Sequence, residues 1–147
     1  MLPGEKFRPA ANVRVDYRCQ EGLWKVSIDE ALLLEALLEV LRNSSDAMPE
    51  QGTLTVRARN VRLEDDPGAL PSGPYVEILV KDTGRGMDPG QLEHIFDPLY
   101  STNPGDHALG IGLYITYGIV RSSGGDLRLE SCPGQGTTVR VLLPAEG

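Results

Sequence analysis

Glu39 and Asn43 lie four residues apart in SIDEALLLEALLEVLRNSSDAM, whose leucine spacing predicts a helix. At that spacing the two side chains stack on one helix face. An amide oxygen is a hard ligand suited to Mg²⁺, and a nearby carboxylate can orient water or take a proton. Further on, Asp82 ends a strand-type run and is followed by Thr-Gly-Arg-Gly-Met. A carboxylate there is acceptor-only and suits an exocyclic amino group such as that of adenine, although an ordinary Asx turn accounts for the same tripeptide. The loop is not a phosphate loop of the usual kind, because the acid comes first and Lys is absent where that motif requires it. Gly110 and Gly112 open a second helix-type segment. Free backbone N–H groups at a helix start form an anion site, with phosphate the natural occupant, while lone glycines serve close packing equally well.

These groups need elements to hold them. NVRVDYR (12–18) and LWKVSI (23–28) alternate around Gly22, which predicts a hairpin. The helix then starts at Ser27, with Glu30 in capping-box spacing, and runs about five turns toward Pro49. In it Glu35, Glu39, Arg42, Asn43 and Asp46 fall within a stripe about 100° wide. Such a stripe is a solvated face, or the wall of a cavity if the apolar sides bury the helix. GTLTVRARNVRLE (52–64) and YVEILVKD (75–82) alternate as strands, and Asp88, Pro89 and Gln91 mark a short helix ending near Phe96. Residues 97–109 are too broken by Pro and Gly to be regular and read as a mobile loop. GIGLYITYGIVRSSGG reads as a helix with a C-terminal Gly cap, and DLRLES and TTVRVLLP flank CPGQG as a hairpin. The order predicts an α+β chain: a two-layer α/β sandwich with about three helices on one face of a mixed, mostly antiparallel sheet.

At 147 residues the chain has room for one core, so one domain over 1–147 and one site are expected. Lys plus Arg total 14 against 21 for Asp plus Glu, and a net charge of −7 argues against nucleic acid. A nucleotide remains compatible if a metal ion offsets its phosphates. Cys19 and Cys132 have no CxxC or His spacing around them and read as free thiols of a reducing cytosol. No apolar run reaches membrane-spanning length and no signal-peptide pattern opens the chain, so a cytoplasmic domain without membrane contact is expected.

The Asn-bearing helix, DTGRGM, IFDPLYST, GIGL and GQGTTVRVLLP follow one another in an order that resembles the ATP-binding domain of sensor histidine kinases. That family belongs to a superfamily with DNA gyrase B, heat-shock chaperone and mismatch-repair ATPases. The resemblance spans about residues 24–144, and TYGIVRSSGGDLRLESCPGQGTT looks most like the nitrogen-regulator and hybrid-kinase branches. It implies a Bergerat ATP-binding fold with residues 97–109 as a mobile ATP lid, and ATP and Mg²⁺ as cofactors.

Residue by residue, the resemblance makes Asn43 the Mg²⁺ ligand, with Asp46 and Ala47 beside it in the nucleotide site, and Glu39 a general base or a group polarising the acceptor imidazole. Asp82 accepts from the adenine amino group, and Gly84, Gly86 and Met87 shape the base pocket. Thr137 supports that contact through water. Thr102, Gly110, Ile111, Gly112 and Leu113 complete the nucleotide site. The lid departs from the family's pattern: Asn103 stands where a phosphate-binding Lys is expected, and Ala108 and Leu109 replace a Gly and a Thr. A lost lid cation removes a contact of about 1.5 to 3 kcal/mol and implies weaker ATP binding. Neither His94 nor His107 reads as a phosphoacceptor. The implied partners are therefore a separate histidine phosphoacceptor and dimerisation module of a larger parent kinase, with which a membrane anchor is compatible, and a response regulator receiver domain. A stand-alone anti-sigma-type serine kinase, a nucleotide-deficient protein-binding module and a simple ATPase are the competing readings.

Overall fold

In a computed structural model, residues 13–48, 51–64, 70–93 and 107–147 are described, with side chains from Leu113 onward in the last stretch. The elements in chain order are β1 (Val13–Cys19), β2 (Lys25–Val26), α1 (Glu30–Asp46), β3 (Gly52–Leu63), β4 (Gly73–Asp82), α2 (Pro89–Glu93), α3 (His107–Ser122), β5 (Asp126–Cys132) and β6 (Gly136–Glu146). The alternation of β3 and β4 fixes their register. Leu54, Val56 and Ala58 face inward from β3, and Val76, Ile78 and Val80 from β4, so the antiparallel pairs Val56↔Val80 and Ala58↔Ile78 lay apolar rows across the sheet. β6 extends those rows antiparallel to β4 through Val80↔Val139 and Ile78↔Val141. β1 lies parallel to β3 at one edge, and β5 pairs antiparallel with the far side of β6. The result is the mixed, mostly antiparallel sheet expected, with α1 and α3 packed together on one face.

The hairpin expected around Gly22 does not form. β1 pairs with β3, and β2 crosses to the opposite side of the sheet, where it pairs with the end of β6. Asn60 of β3 takes the polar groups that a partner strand would have taken. Its Oδ1 accepts from the Trp24 N–H (2.9 Å), its Nδ2 donates to the Gly22 carbonyl (3.0 Å), and its own N–H donates to Gln20 Oε1 (3.0 Å). Arg62 then covers the Trp24 ring, 5.2 Å from its centroid.

α1 begins later than its capping-box spacing suggests. Asp29, not Ser27, is the cap: its Oδ1 accepts from the Ala31 and Leu32 N–H groups at 2.8 and 3.2 Å. Ala36, Leu37, Val40 and Leu41 bury the helix against the sheet and α3, and the buried Thr116 hydroxyl of α3 donates to the Ala36 carbonyl at 3.3 Å. The polar stripe divides as a result. Glu35, Arg42 and Asp46 are exposed while Asn43 is buried, because the groove between α1 and the sheet covers only one border of the stripe. At α2, Asp88 and Gln91 cap each other's backbone, Asp88 Oδ1 accepting from the Gln91 N–H (2.8 Å) and Gln91 Oε1 from the Asp88 N–H (3.0 Å).

α3 closes as the Gly pair predicts, with Gly124 at φ +85° and the Gly125 N–H donating to the Val120 carbonyl at 3.0 Å. Its start differs. The helix reaches back to His107, since His107, Ala108 and Leu109 contain no helix breaker. Gly110 and Gly112 therefore lie within it, and the last three residues assigned to the lid are helical. His94, Phe96 and residues 97–106, with Thr102 and Asn103, lie outside the described residues. No helix among the described residues is long and apolar enough to cross a membrane.

The cap assignment has a direct test. Asp29→Ala removes the acceptor for two orphan amides and should cost about 1 kcal/mol in urea unfolding, whereas Ser27→Ala should change the midpoint little.

Candidate functional site

Asp82 closes β4 where the strand leaves the sheet, and its side chain points inward at 2% exposure. Its Oδ1 accepts from the Gly84 N–H at 2.9 Å and from the Thr137 N–H of β6 at 3.0 Å, and the Ser44 hydroxyl of α1 adds a further hydrogen bond. Burial pushes the carboxyl above its ordinary value, and the three hydrogen bonds partly counter that rise.

The glycines around it join backbone to backbone. Arg85 N–H donates to the Ala47 carbonyl at the end of α1 (3.2 Å), and Gly134 N–H of the β5–β6 turn donates to the Arg85 carbonyl (2.7 Å). Three positions in this junction leave no room for a side chain: a Cβ on Gly84 would meet the Ala47 carbonyl, and two others also have a left-handed backbone. Gly86 has φ +69° and a Cβ there would meet the Cys132 carbonyl; Gly136 has φ +89° and a Cβ there would meet the Asp82 carbonyl. Ser131 of β5 completes the junction. Its Oγ accepts from the Met87 N–H (2.8 Å), lies 3.0 Å from the Gly136 carbonyl and pairs with the Thr137 hydroxyl at 2.8 Å.

Above this floor is a pocket of about 560 Å³, mouth included. Val40, Met87, Leu113, Leu129 and Val139 form its apolar walls, and Asn43, Ser44, Asp82 and Thr137 are its polar groups, with Arg85 and Gln91 at the lining as well. An apolar pocket with one anchored acceptor at its floor suits a heteroaromatic base carrying an amino group. Asn43 is 7% exposed, and its Nδ2 is a buried polar atom with no partner among the described residues. Such an orphan costs about 1 to 3 kcal/mol, a cost that a bound ligand removes.

Of the residues expected from the sequence, Asn43, Ala47, Asp82, Gly86, Met87, Leu113 and Thr137 come together in this pocket, with Gly84 directly beneath it against Ala47. Asp46 does not join them. Three residues beyond Asn43, it has turned to the exposed side of α1. Glu39 lies one turn before Asn43, off the pocket lining, with its Oε1 3.2 Å from Arg42 NH1. Gly110, Ile111 and Gly112 are placed only as backbone in α3. Sequence reading missed Ser44, Ser131, Arg85, Gln91, Leu129 and Val139. Strand alternation marks Leu129, Ser131, Thr137 and Val139 as inward, but a cap residue such as Gln91 carries no sign that it also meets a pocket. Cys19 and Cys132 are free, as expected, and both are exposed.

Residues 28–147 match the family described as Histidine kinase-, DNA gyrase B-, and HSP90-like ATPase. Over 126 residues, 83% of its length, the chain is 36% identical to sensor kinase CckA of Brucella abortus (strain 2308), covering 13% of that protein. It is 30% identical over 132 residues to sensor histidine kinase ZraS of Salmonella typhi, covering 90% of itself and 26% of that protein. The chain thus spans about a quarter or less of the length of these curated relatives. Among solved structures, the mycobacterial sensor histidine kinase MprB superposes with a TM-score of 0.71 at 26% identity, over 92% of this chain and 84% of that one.

The buried carboxylate gives a pH-dependent expectation. With its folded value raised, Asp82 adds stability that is complete below the unfolded value of about 3.8 and is lost as pH rises through the raised value. Asp82→Asn keeps an oxygen for the Gly84 and Thr137 amides and removes this dependence. Thermal melts should therefore show the variant gaining on the wild type as pH rises from mildly acidic to neutral.

Proposed function

This chain belongs to the histidine kinase-, DNA gyrase B-, and HSP90-like ATPase family, and from that premise we propose that its pocket binds Mg-ATP and that the domain passes the γ-phosphate to a histidine on a separate dimerisation module, for relay to a response regulator receiver domain. The observation that carries this reading is the pairing of two groups in one pocket: the anchored Asp82 carboxylate at the floor and the partnerless Asn43 amide on the wall. The names of the relatives, sensor kinase and sensor histidine kinase, support it.

In this reading Asp82 accepts from the adenine amino group, and Ala47, Gly84, Gly86, Met87 and Leu113 fit the base. Thr137 holds Asp82 through its backbone and joins the contact through its hydroxyl. Asn43 faces the phosphates, and its amide fits a metal: the oxygen is a hard ligand, and the orphan Nδ2 marks a polar group built for something besides protein. Bound Mg²⁺ supplies neutralisation of phosphate charge. Thr102, Gly110, Ile111 and Gly112 are assigned to the phosphate end. Glu39, one turn from Asn43, takes or polarises the acceptor's proton, and its contact with Arg42 holds it ready on α1. Most of the rate then comes from positioning rather than covalent chemistry by this chain.

Joined to the parental dimerisation module and supplied with Mg-ATP, the domain should label the histidine. Asn43→Ala should abolish labelling, and undiminished labelling in that variant would sink the assignment. Glu39→Gln separates chemistry from binding: transfer should fall by about 10²-fold while nucleotide affinity in a titration stays at the wild-type value. Equal loss of both would remove Glu39 from the chemical step.

A further inference from the structure

The sheet face turned away from the helices has a charge opposite to that of the whole chain. In the register Arg18 stands opposite Arg57, Arg57 opposite Leu79, Leu79 opposite Arg140, and Arg140 opposite Arg128. One row across five strands therefore holds four arginines. Two pairs of them are like charges directly opposed, an arrangement that weakens a sheet. The adjacent row reads Asp16, Thr55, Lys81, Thr138, Glu130. With Arg14 and Arg59, this face carries seven of the chain's 14 cationic residues against four carboxylates, Asp16, Glu77, Asp126 and Glu130, while the whole chain is at −7.

Those carboxylates are already engaged. Arg59 and Arg140 share Glu77 at 3.0 and 3.7 Å, Arg128 lies 3.3 Å from Asp126, and Arg18 lies 3.5 Å from Asp16. Arg57 and Lys81, in the middle of the face, are exposed and in no ion pair among the described residues. Together with Arg140 they line a concavity whose other walls include Thr53, Thr55 and Thr138, with Glu130 at the lining too, 3.7 Å from Arg140.

We propose that this concavity docks an extended acidic protein segment, whose carboxylates pair with Arg57, Lys81 and the arginine row. Guanidinium groups match carboxylates in a forked pair, and the threonine hydroxyls can bond a peptide backbone. The row spans four interstrand steps, roughly 19 Å, the length of about six extended residues. A nucleic acid fits less well, because its phosphates run as a continuous line of charge, whereas Asp16 and Glu130 in the adjacent row break the cationic surface into separate points that spaced carboxylates can match. A flat anionic lipid surface does not follow a concave face.

The site is independent of the nucleotide pocket, so its test leaves that reading untouched. A fluorescent octaglutamate peptide should bind the wild-type chain by anisotropy, more weakly as salt rises. Arg57→Glu with Lys81→Glu should weaken binding by at least about tenfold, with Arg57→Gln and Lys81→Gln intermediate. The Gln variant, which relieves the Arg18–Arg57 opposition, should melt no lower than the wild type and keep its nucleotide affinity, which keeps the test valid if the charge reversal misfolds. The proposal is overturned if octaglutamate does not bind, if it binds the Gln variant as tightly as the wild type, or if duplex DNA or phosphatidylglycerol vesicles bind more tightly than the peptide.

Discussion

Taking the Asp82 carboxylate out of water has a desolvation cost that only directed hydrogen bonds can offset, and the donors that meet it come from distant parts of the chain. Thr137 is 55 residues away in sequence, Gly84 lies in the following loop, and Ser44 sits on a different layer. For all three to reach one carboxyl, the end of α1, the loop after β4 and the β5–β6 turn must converge at backbone distance. This constraint explains Gly86 and Gly136, each of which faces a carbonyl from a neighbouring segment where a methyl group has no space. These glycines let three segments meet tightly enough to hold Asp82, and Gly86 also lines the pocket above it.

Asp82 also sets where the rest of the pocket can be. Its anchoring fixes the position of Met87, tied through its N–H to Ser131, and of Thr137, which bonds the same serine. α1 then lies across the pocket with Val40, Asn43 and Ser44 facing it and Arg42 turned to solvent. The division of the polar stripe follows from this placement. A helix packed against both α3 and the sheet buries two sides, and only residues bordering the groove between them meet the pocket.

Much of this was legible in residue order and period. The long strands, the two long helices and the β5–β6 hairpin follow from alternation, 3.6 spacing and glycine placement, and Asp82 and Asn43 are visible by type and position. What the sequence concealed depends on competition between distant partners. The segments around Gly22 have hairpin spacing, yet Asn60 of β3 and the end of β6 bond them instead. Ser27 and Asp29 both suit a cap, and only the packing of α1 decides between them. Asp46 has the right chemistry on the right helix, but at a rotation that a one-dimensional stripe cannot resolve. Ser131 acts through the Met87 amide, the Gly136 carbonyl and the Thr137 hydroxyl, a role that no local pattern announces.

The charge layout bears on what a phosphate ligand must bring with it. Arg85 is the only cation lining the pocket among the described residues, whereas the exposed side of α1 adds Glu35, Glu39 and Asp46 against Arg42. A phosphate placed at Asn43 would feel Glu39 one turn away. Seven of the chain's cationic residues lie instead on the far face of the sheet, separated from the pocket by the apolar core. On the proposed reading, the described residues would offer a triphosphate hydrogen bonds and the Asn43 amide but little compensating charge, which a divalent ion arriving with the nucleotide would supply. An acidic chain binding an anionic ligand would then be no contradiction: the same charge that disfavours free phosphate would favour a metal complex.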